Sequence, residues 1–162
     1  MRNGGPRLRQ AWHDSGVAII ALLHGPNLNL LGQREPNIYG TATLADYENA
    51  TSHAAIACGH TIECFQSNHE GALIEAIHAA RGHASAIIIN PGAFTHYAWS
   101  IHDALAAFDG PIIEVHISNP NAREPWRHTS VVAPVATGSL MGFGIHGYEL
   151  AVAAVAKRLA QG

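Results

Sequence analysis

Val17–Leu23, VAIIALL, is an unbroken apolar run that stops at His24-Gly25-Pro26. A strand with one wet face alternates apolar and polar residues. A run that is apolar at every position predicts burial on both faces, as in the parallel sheet of an α/β domain. Working outward, Thr61–Phe65 reads as a second strand. Ala84–Ile89 reads as a third, halted by Asn90-Pro91-Gly92, Pro111–His116 as a fourth, and Ser130–Val135 as a fifth. Helical stripes lie between them. Leu44, Tyr47, Ala54, Ala55 and Cys58 share one face, with Thr43 as N-cap and Gly59 as the stop. Ser67 and Glu70 have capping-box spacing ahead of Leu73, Ile74, Ile77 and Ala80. A helix over 96–108 shows Ala98, Ile101, Leu105 and Phe108, and a last one shows Tyr148, Ala151, Val152, Val155 and Leu159.

Strand and helix alternate throughout. That predicts a three-layer α/β/α sandwich with a five-stranded parallel sheet and right-handed crossovers, in the flavodoxin-like order 2-1-3-4-5. Such sheets bind ligands beyond the carboxyl ends of their strands. The unusual polar residues collect at those ends, in His24–Gly40, Gln66–His69, Asn90–Ala98 and Glu114–His128.

Composition bounds the function. The 162 residues suit one domain, and 48% apolar against 13% charged residues is a globular balance. Residues 1–16 read as a flexible extension without the apolar core of a secretory signal, and residues 17–162 as the single domain. The net charge of −3 recommends no nucleic acid, and no apolar run is long enough for a membrane span. Cys58 and Cys64 have neither redox nor zinc spacing, which fits reduced thiols and a cytoplasmic location. Among the 12 histidines, His13, His53, His60, His78 and His83 read as surface residues, and no HExxH or Cys/His zinc pattern occurs.

The candidate chemistry lies at the strand ends. His116 closes the fourth strand two residues after Glu114, so the two side chains share a face. The pair is either an oriented acid–base histidine or a structural buried pair. Arg34 and Tyr39 share one loop, and a guanidinium near a phenol can favour the ionised form that a base needs. The alternative is a surface pair of Arg34 with Glu35. The Ser118 hydroxyl and nearby main-chain N–H groups can cradle a carboxylate, and Arg123 and Arg127 can hold ligand oxygens or pair with Glu124.

Gly142-Phe143-Gly144-Ile145-His146-Gly147 fits G-x-G-x-x-G. A dinucleotide site also needs a further strand and an acid about 20 residues on. Only 15 residues follow Gly147, so these glycines read as close packing at the entry to the last helix. The single lysine, Lys157, sits in the last helical turn, poorly placed for a Schiff base. A nucleotide-binding module built on the glycines, and a structural oligomer with an incidental crevice, are the rival readings.

The segments GPNLNLLGQREPNIYG, QSNHEGALIEAIH, NPGAFTH, IEVHISNPNAREPWRH and VAPVATGSLMGFGIHGYELA together resemble type II 3-dehydroquinate dehydratase, from about Ile19 to Leu159. The resemblance implies dehydration of 3-dehydroquinate to 3-dehydroshikimate through an enolate, with no metal and no organic cofactor. It implies that Tyr39 is the base, Arg34 its activator and His116 the general acid. Asn27 helps hold a water at the enolate oxygen, and Glu114 partners the acid. It implies further that Asn90, His96 and Arg127 bind substrate hydroxyls, and that Ile117 and Ser118 take the carboxylate. By the same resemblance Asp103 reaches a neighbouring subunit's site in a dodecamer of four trimers, and Leu31–Tyr39 forms a mobile lid. The lone lysine argues against the imine route of the unrelated type I enzymes. Departures are modest: His102 stands where the family often has Arg, and Trp126 where Phe is more usual.

Overall fold

The computed structural model describes residues 16–33 and 35–161. The expected extension therefore lies, apart from Gly16, outside the described residues, as does Arg34. Five parallel strands form one sheet in the order β2-β1-β3-β4-β5: β1 Ile19–His24, β2 Thr61–Gln66, β3 Ala86–Asn90, β4 Ile112–His116 and β5 Gly138–Met141. The strand order and the flanking helices are those expected from the sequence.

Central strands bury both faces. Ala21, Leu23, Ile87 and Ile89 point to one side, where α3 (Glu70–Ala80) and α4 (Trp99–Ala106) pack through Leu73, Ile77, Ile101 and Leu105. Ile20, Leu22, Ile88 and Val115 point to the other. There α2 (Leu44–Ala57) and α5 (Ile145–Leu159) close the layer with Tyr47, Tyr148, Val152 and Val155. The period-2 alternation of a strand and the one-sided stripe of each helix produce these two cores directly. Among the described residues, no helix is long and apolar enough to cross a membrane.

Several local expectations change. The fifth strand is Gly138–Met141, not Ser130–Val135. Val131 and Val132 are buried, but in a turn: Val135 and Ala136 both donate to the Val132 carbonyl, and Pro134 has no N–H to give a ladder. Thr43 does cap α2, in a full capping box with Asp46. Ser67 and Glu70 do not form one. The Ser67 hydroxyl accepts from the His69 N–H at 2.9 Å, and Glu70 instead accepts from the Ser100 hydroxyl on α4. The helix expected over 96–108 is shorter, Trp99–Ala106, and a 3-10 turn, Gly92–His96, precedes it. His60 is buried rather than superficial, its Nδ1 accepting from the Ala18 N–H at 3.2 Å. His13 lies outside the described residues; His53, His78 and His83 are exposed.

The loops after β1 and β3 touch. The Gly25 N–H donates to the Asn90 carbonyl at 2.7 Å, and a Cβ at Gly25 would lie 2.2 Å from the Pro91 carbonyl oxygen. Both partners are backbone, so neither can swing aside. Gly25→Ala is expected to lower stability by about 3 kcal/mol through overpacking. Urea unfolding measures this, and an unchanged midpoint would show that the two loops separate freely.

Candidate active site

The strand ends surround a cavity of about 200 Å³. That is smaller than the roughly 300–1,000 Å³ of drug-sized ligand sites, so a compact ligand fits and a dinucleotide does not. Asn27, Tyr39, Asn90, His96, His116, Ile117, Ser118 and Arg127 all line it. Glu114 lies directly behind His116. Asp103 does not line it; it is exposed on α4.

The first loop is held from behind. Asn27 adopts a left-handed conformation, φ 67°, which asparagine tolerates better than most residues. Its N–H donates to Asn68 Oδ1 at 2.8 Å, and Gln66 Nε2 donates to both Asn68 Oδ1 and the Gly25 carbonyl. Gln66, Ser67 and Asn68, expected to face the crevice, are not part of the cavity wall; Gln66 and Asn68 prop this loop, and the Ser67 side chain serves the His69 N–H.

Glu114 and His116 form a buried, hydrogen-bonded polar pair beside the cavity. His116 Nε2 lies 2.8 Å from Glu114 Oε1. Thr95 Oγ1 donates to the same oxygen at 2.5 Å. Ser130 Oγ reaches both carboxylate oxygens at 3.0 Å, and Ser139 Oγ donates to Oε2 at 3.2 Å. Burial pushes the Glu114 carboxyl upward. The hydrogen bond and charge of His116 with the Thr95 and Ser130 hydroxyls outweigh it and hold the group below the usual carboxylate range. The ionised carboxylate only accepts, so Nε2 carries the proton it donates, and Nδ1 is the nitrogen left without a hydrogen-bond partner among the described residues. Ser130 is itself fixed, accepting from the N–H groups of Val132 and Ala133.

Tyr39 ends the short helix α1 (Pro36–Tyr39) and is half-buried. Arg123 Nη1 donates to its hydroxyl at 2.8 Å, with the guanidinium carbon 5.7 Å from the ring centre. Arg123 also makes the expected ion pair with Glu124, at 3.6 Å through Nε, and lines the cavity; its bond to a phenol oxygen is the contact the sequence did not suggest. Tyr39 and Arg123 are 84 positions apart, and no local pattern joins them. A cation here stabilises negative charge on that oxygen by Coulomb attraction.

Arg127 pairs with Glu124 through Nε at 2.7 Å and lies 4.0 Å over the Trp126 ring while still lining the cavity. Trp126 also meets His96 edge-on. His96 Nδ1 donates to the Thr129 carbonyl at 2.7 Å. Burial lowers its pKa; the carbonyl opposes this, and the neighbouring positive charges of His116 and Arg127 add to the lowering. The neutral ring therefore keeps Nε2 as an acceptor for a ligand hydroxyl.

The glycine motif is consumed by packing. Gly142 and Gly144 donate to the carbonyls of His116 and Ile117 at 3.1 and 3.0 Å, and none of the motif lines the cavity. Lys157 is exposed in the last turn of α5.

His24 is fully buried, and neither ring nitrogen has a hydrogen-bond partner among the described residues. Burial lowers its pKa to about 4. The 3.7 Å approach of Glu48 Oε1 is therefore not an ion pair at neutral pH. Between pH 6.5 and about 4 the unfolded chain takes up a proton that the folded chain refuses. Folded stability must then fall as pH falls through that window, by about 2 kcal/mol at pH 5 and about 3 at its lower end. Urea unfolding at pH 7 and pH 5 reads this difference. His24→Phe should flatten it, and an equally steep acid loss in that variant would assign the effect elsewhere.

The sequence profile of the family described as Dehydroquinase class II matches residues 18–156. A catabolic 3-dehydroquinase of Aspergillus oryzae is 54% identical over 137 residues, covering 85% of this chain and 90% of that protein. A 3-dehydroquinate dehydratase of Halalkalibacterium halodurans is 54% identical over 136 residues, covering 84% and 94%. The crystal structure of a type II dehydroquinase from Propionibacterium acnes superposes with a TM-score of 0.84 at 43% identity, covering 86% of this chain and 97% of that one.

Proposed function

The chain belongs to the class II dehydroquinase family, and on that premise we propose that it dehydrates 3-dehydroquinate to 3-dehydroshikimate through an enolate. The observation that carries the mechanism is one small cavity holding a phenol backed by a guanidinium and an imidazole backed by a carboxylate. The only lysine lies outside it.

Tyr39, as phenolate, takes the proton from the carbon beside the ketone. The C–H electrons move to the ketone oxygen, and a water held by Asn27 donates a hydrogen bond to the enolate oxygen that now carries the charge. The enolate then collapses and the C–O bond to the departing hydroxyl breaks. His116 delivers the proton that makes that hydroxyl leave as water. A ketone already acidifies its neighbouring C–H, so a placed base and charge stabilisation supply the rate. Arg123 stabilises the base in the geometry seen here, and Arg34 joins it in the same task. Asn90, His96 and Arg127 hold the hydroxyls, and Ser118 with the Ile117–Ser118 main chain holds the carboxylate.

The same step serves aromatic biosynthesis and quinate breakdown; one relative is named a catabolic 3-dehydroquinase, and the other's name gives the reaction alone. In our reading the protein is cytoplasmic and assembles as a dodecamer of four trimers. Asp103, exposed and outside its own subunit's cavity, then faces a neighbour's.

The test is an assay with 3-dehydroquinate that follows the ultraviolet absorbance of the conjugated enone. It includes EDTA and a borohydride-treated control. Turnover that survives both supports the enolate route; loss on borohydride treatment would restore an imine. No turnover in folded protein would mean that this cavity serves another ligand.

A further inference from the structure

Asn90 is nearly sealed at the end of β3, yet it lines the cavity. Its Oδ1 accepts from the Gly92 N–H at 3.1 Å, and its Nδ2 donates to the Tyr148 hydroxyl at 2.9 Å. The Gly92 N–H can only donate, so it identifies the oxygen of the amide and rules out the flipped orientation. One amide hydrogen is then committed to Tyr148. The second diverges from it by the trigonal angle of the NH2 group and is the one left for a ligand.

Tyr148 is fully buried on α5 and does not reach the cavity. Its ring is clamped between neighbours, stacked on His24 at 5.8 Å with an interplanar angle of 24°, and met edge-on by Tyr47 at 5.2 Å. His24 sits beside Asn90 in the β1–β3 register, so ring and amide are positioned by the same strand pair. A phenol held this way can neither rotate off the amide nor follow it. Nothing in binding or proton transfer requires Tyr148 itself to touch a ligand.

We propose that Tyr148 is a positioning residue for substrate binding, its hydroxyl locking the Asn90 amide so that one N–H faces the cavity. The inference rests on the reading of Asn90 as a substrate contact. Locking makes Asn90 a donor at that point and so selects a ligand oxygen with a free lone pair, such as a hydroxyl of a polyol acid.

The experiment is a double-mutant cycle on the full chain with 3-dehydroquinate as the probe. Tyr148→Phe keeps the ring and its stacking and deletes only the oxygen. It should raise KM about tenfold, the scale of one hydrogen bond, with kcat within about twofold, the pattern of lost uniform binding. Tyr47→Phe removes a different hydroxyl from the same aromatic cluster and should leave KM unchanged. Asn90→Ala should raise KM on its own, and adding Tyr148→Phe to it should raise KM no further. Thermal melting of each variant confirms that folded protein is compared. An unchanged KM in Tyr148→Phe, or an equal rise in the Asn90→Ala background or in Tyr47→Phe, would overturn the positioning role while leaving Asn90 as a contact. An unchanged KM in Asn90→Ala would overturn the reading of Asn90 and the inference with it.

Discussion

Tyr39→Phe is expected to lower kcat by about 10³-fold, within the range of a lost general base. The substitution removes one oxygen and keeps the ring that packs at the cavity edge. KM should therefore change little, and the melting temperature should stay close to that of the parent. Arg123 is the residue most affected, because its Nη1 donates to that oxygen at 2.8 Å. Arg123 can turn to Glu124, whose carboxylate already lies 3.6 Å from its Nε, so no buried charge is stranded. Stopped-flow or steady-state measurement of enone formation gives the result directly. A kcat within a few-fold of the parent would remove Tyr39 as the base.

His116→Ala is the second large effect, expected at about 10²–10⁴-fold in kcat. Here the expected pattern includes the partner. In the proposed mechanism Glu114 acts on the leaving group only by holding His116, so Glu114→Ala should add little to the loss already suffered by His116→Ala. Residues that work as a unit behave this way in kinetics. Stability separates the two variants. In His116→Ala the carboxylate keeps the hydroxyls of Thr95, Ser130 and Ser139. In Glu114→Ala those three donors and His116 lose their acceptor inside the core, at a cost of about 1–3 kcal/mol for each group left unsatisfied. Equal and fully additive losses of rate would mean that Glu114 has a task of its own. A near-normal rate in His116→Ala would assign the leaving-group proton to another donor.

The sheet could be read from residues 17–23 because burial on two faces leaves a local mark, an apolar residue at every position. The same holds for Ile87–Ile89 and for the stripe of Tyr148, Val152 and Val155 on α5. Val131 and Val132 carry that mark too and are buried, yet they form a turn. Apolar content reports burial, whereas a strand also needs free N–H and C=O groups in register, and Pro134 and the turn at Val132 remove them. The strand at Gly138–Met141 has the opposite character: partly exposed and weak in apolar content, it is made by pairing with β4.

The site divides along the same line. Asn90, His116 and Ser118 could be named as candidates from the chain, because a parallel sheet brings the carboxyl ends of its strands to one crevice and these residues sit at or just beyond those ends, whereas Tyr39 lies farther on, in the segment after β1, and its role came from the family resemblance. The contacts that tune them could not. Arg123 meets Tyr39, three hydroxyls from separate segments enclose Glu114, and Tyr148 reaches Asn90 across 58 positions. A polar residue in a loop looks alike in sequence whether it binds a ligand, an ion-pair partner or a catalytic side chain. Its partner is chosen by the few ångströms and the direction that packing imposes, since a hydrogen bond fails outside a narrow range of both. Residue spacing records the direction of a side chain along its own strand or helix and carries nothing about which distant segment is folded against it.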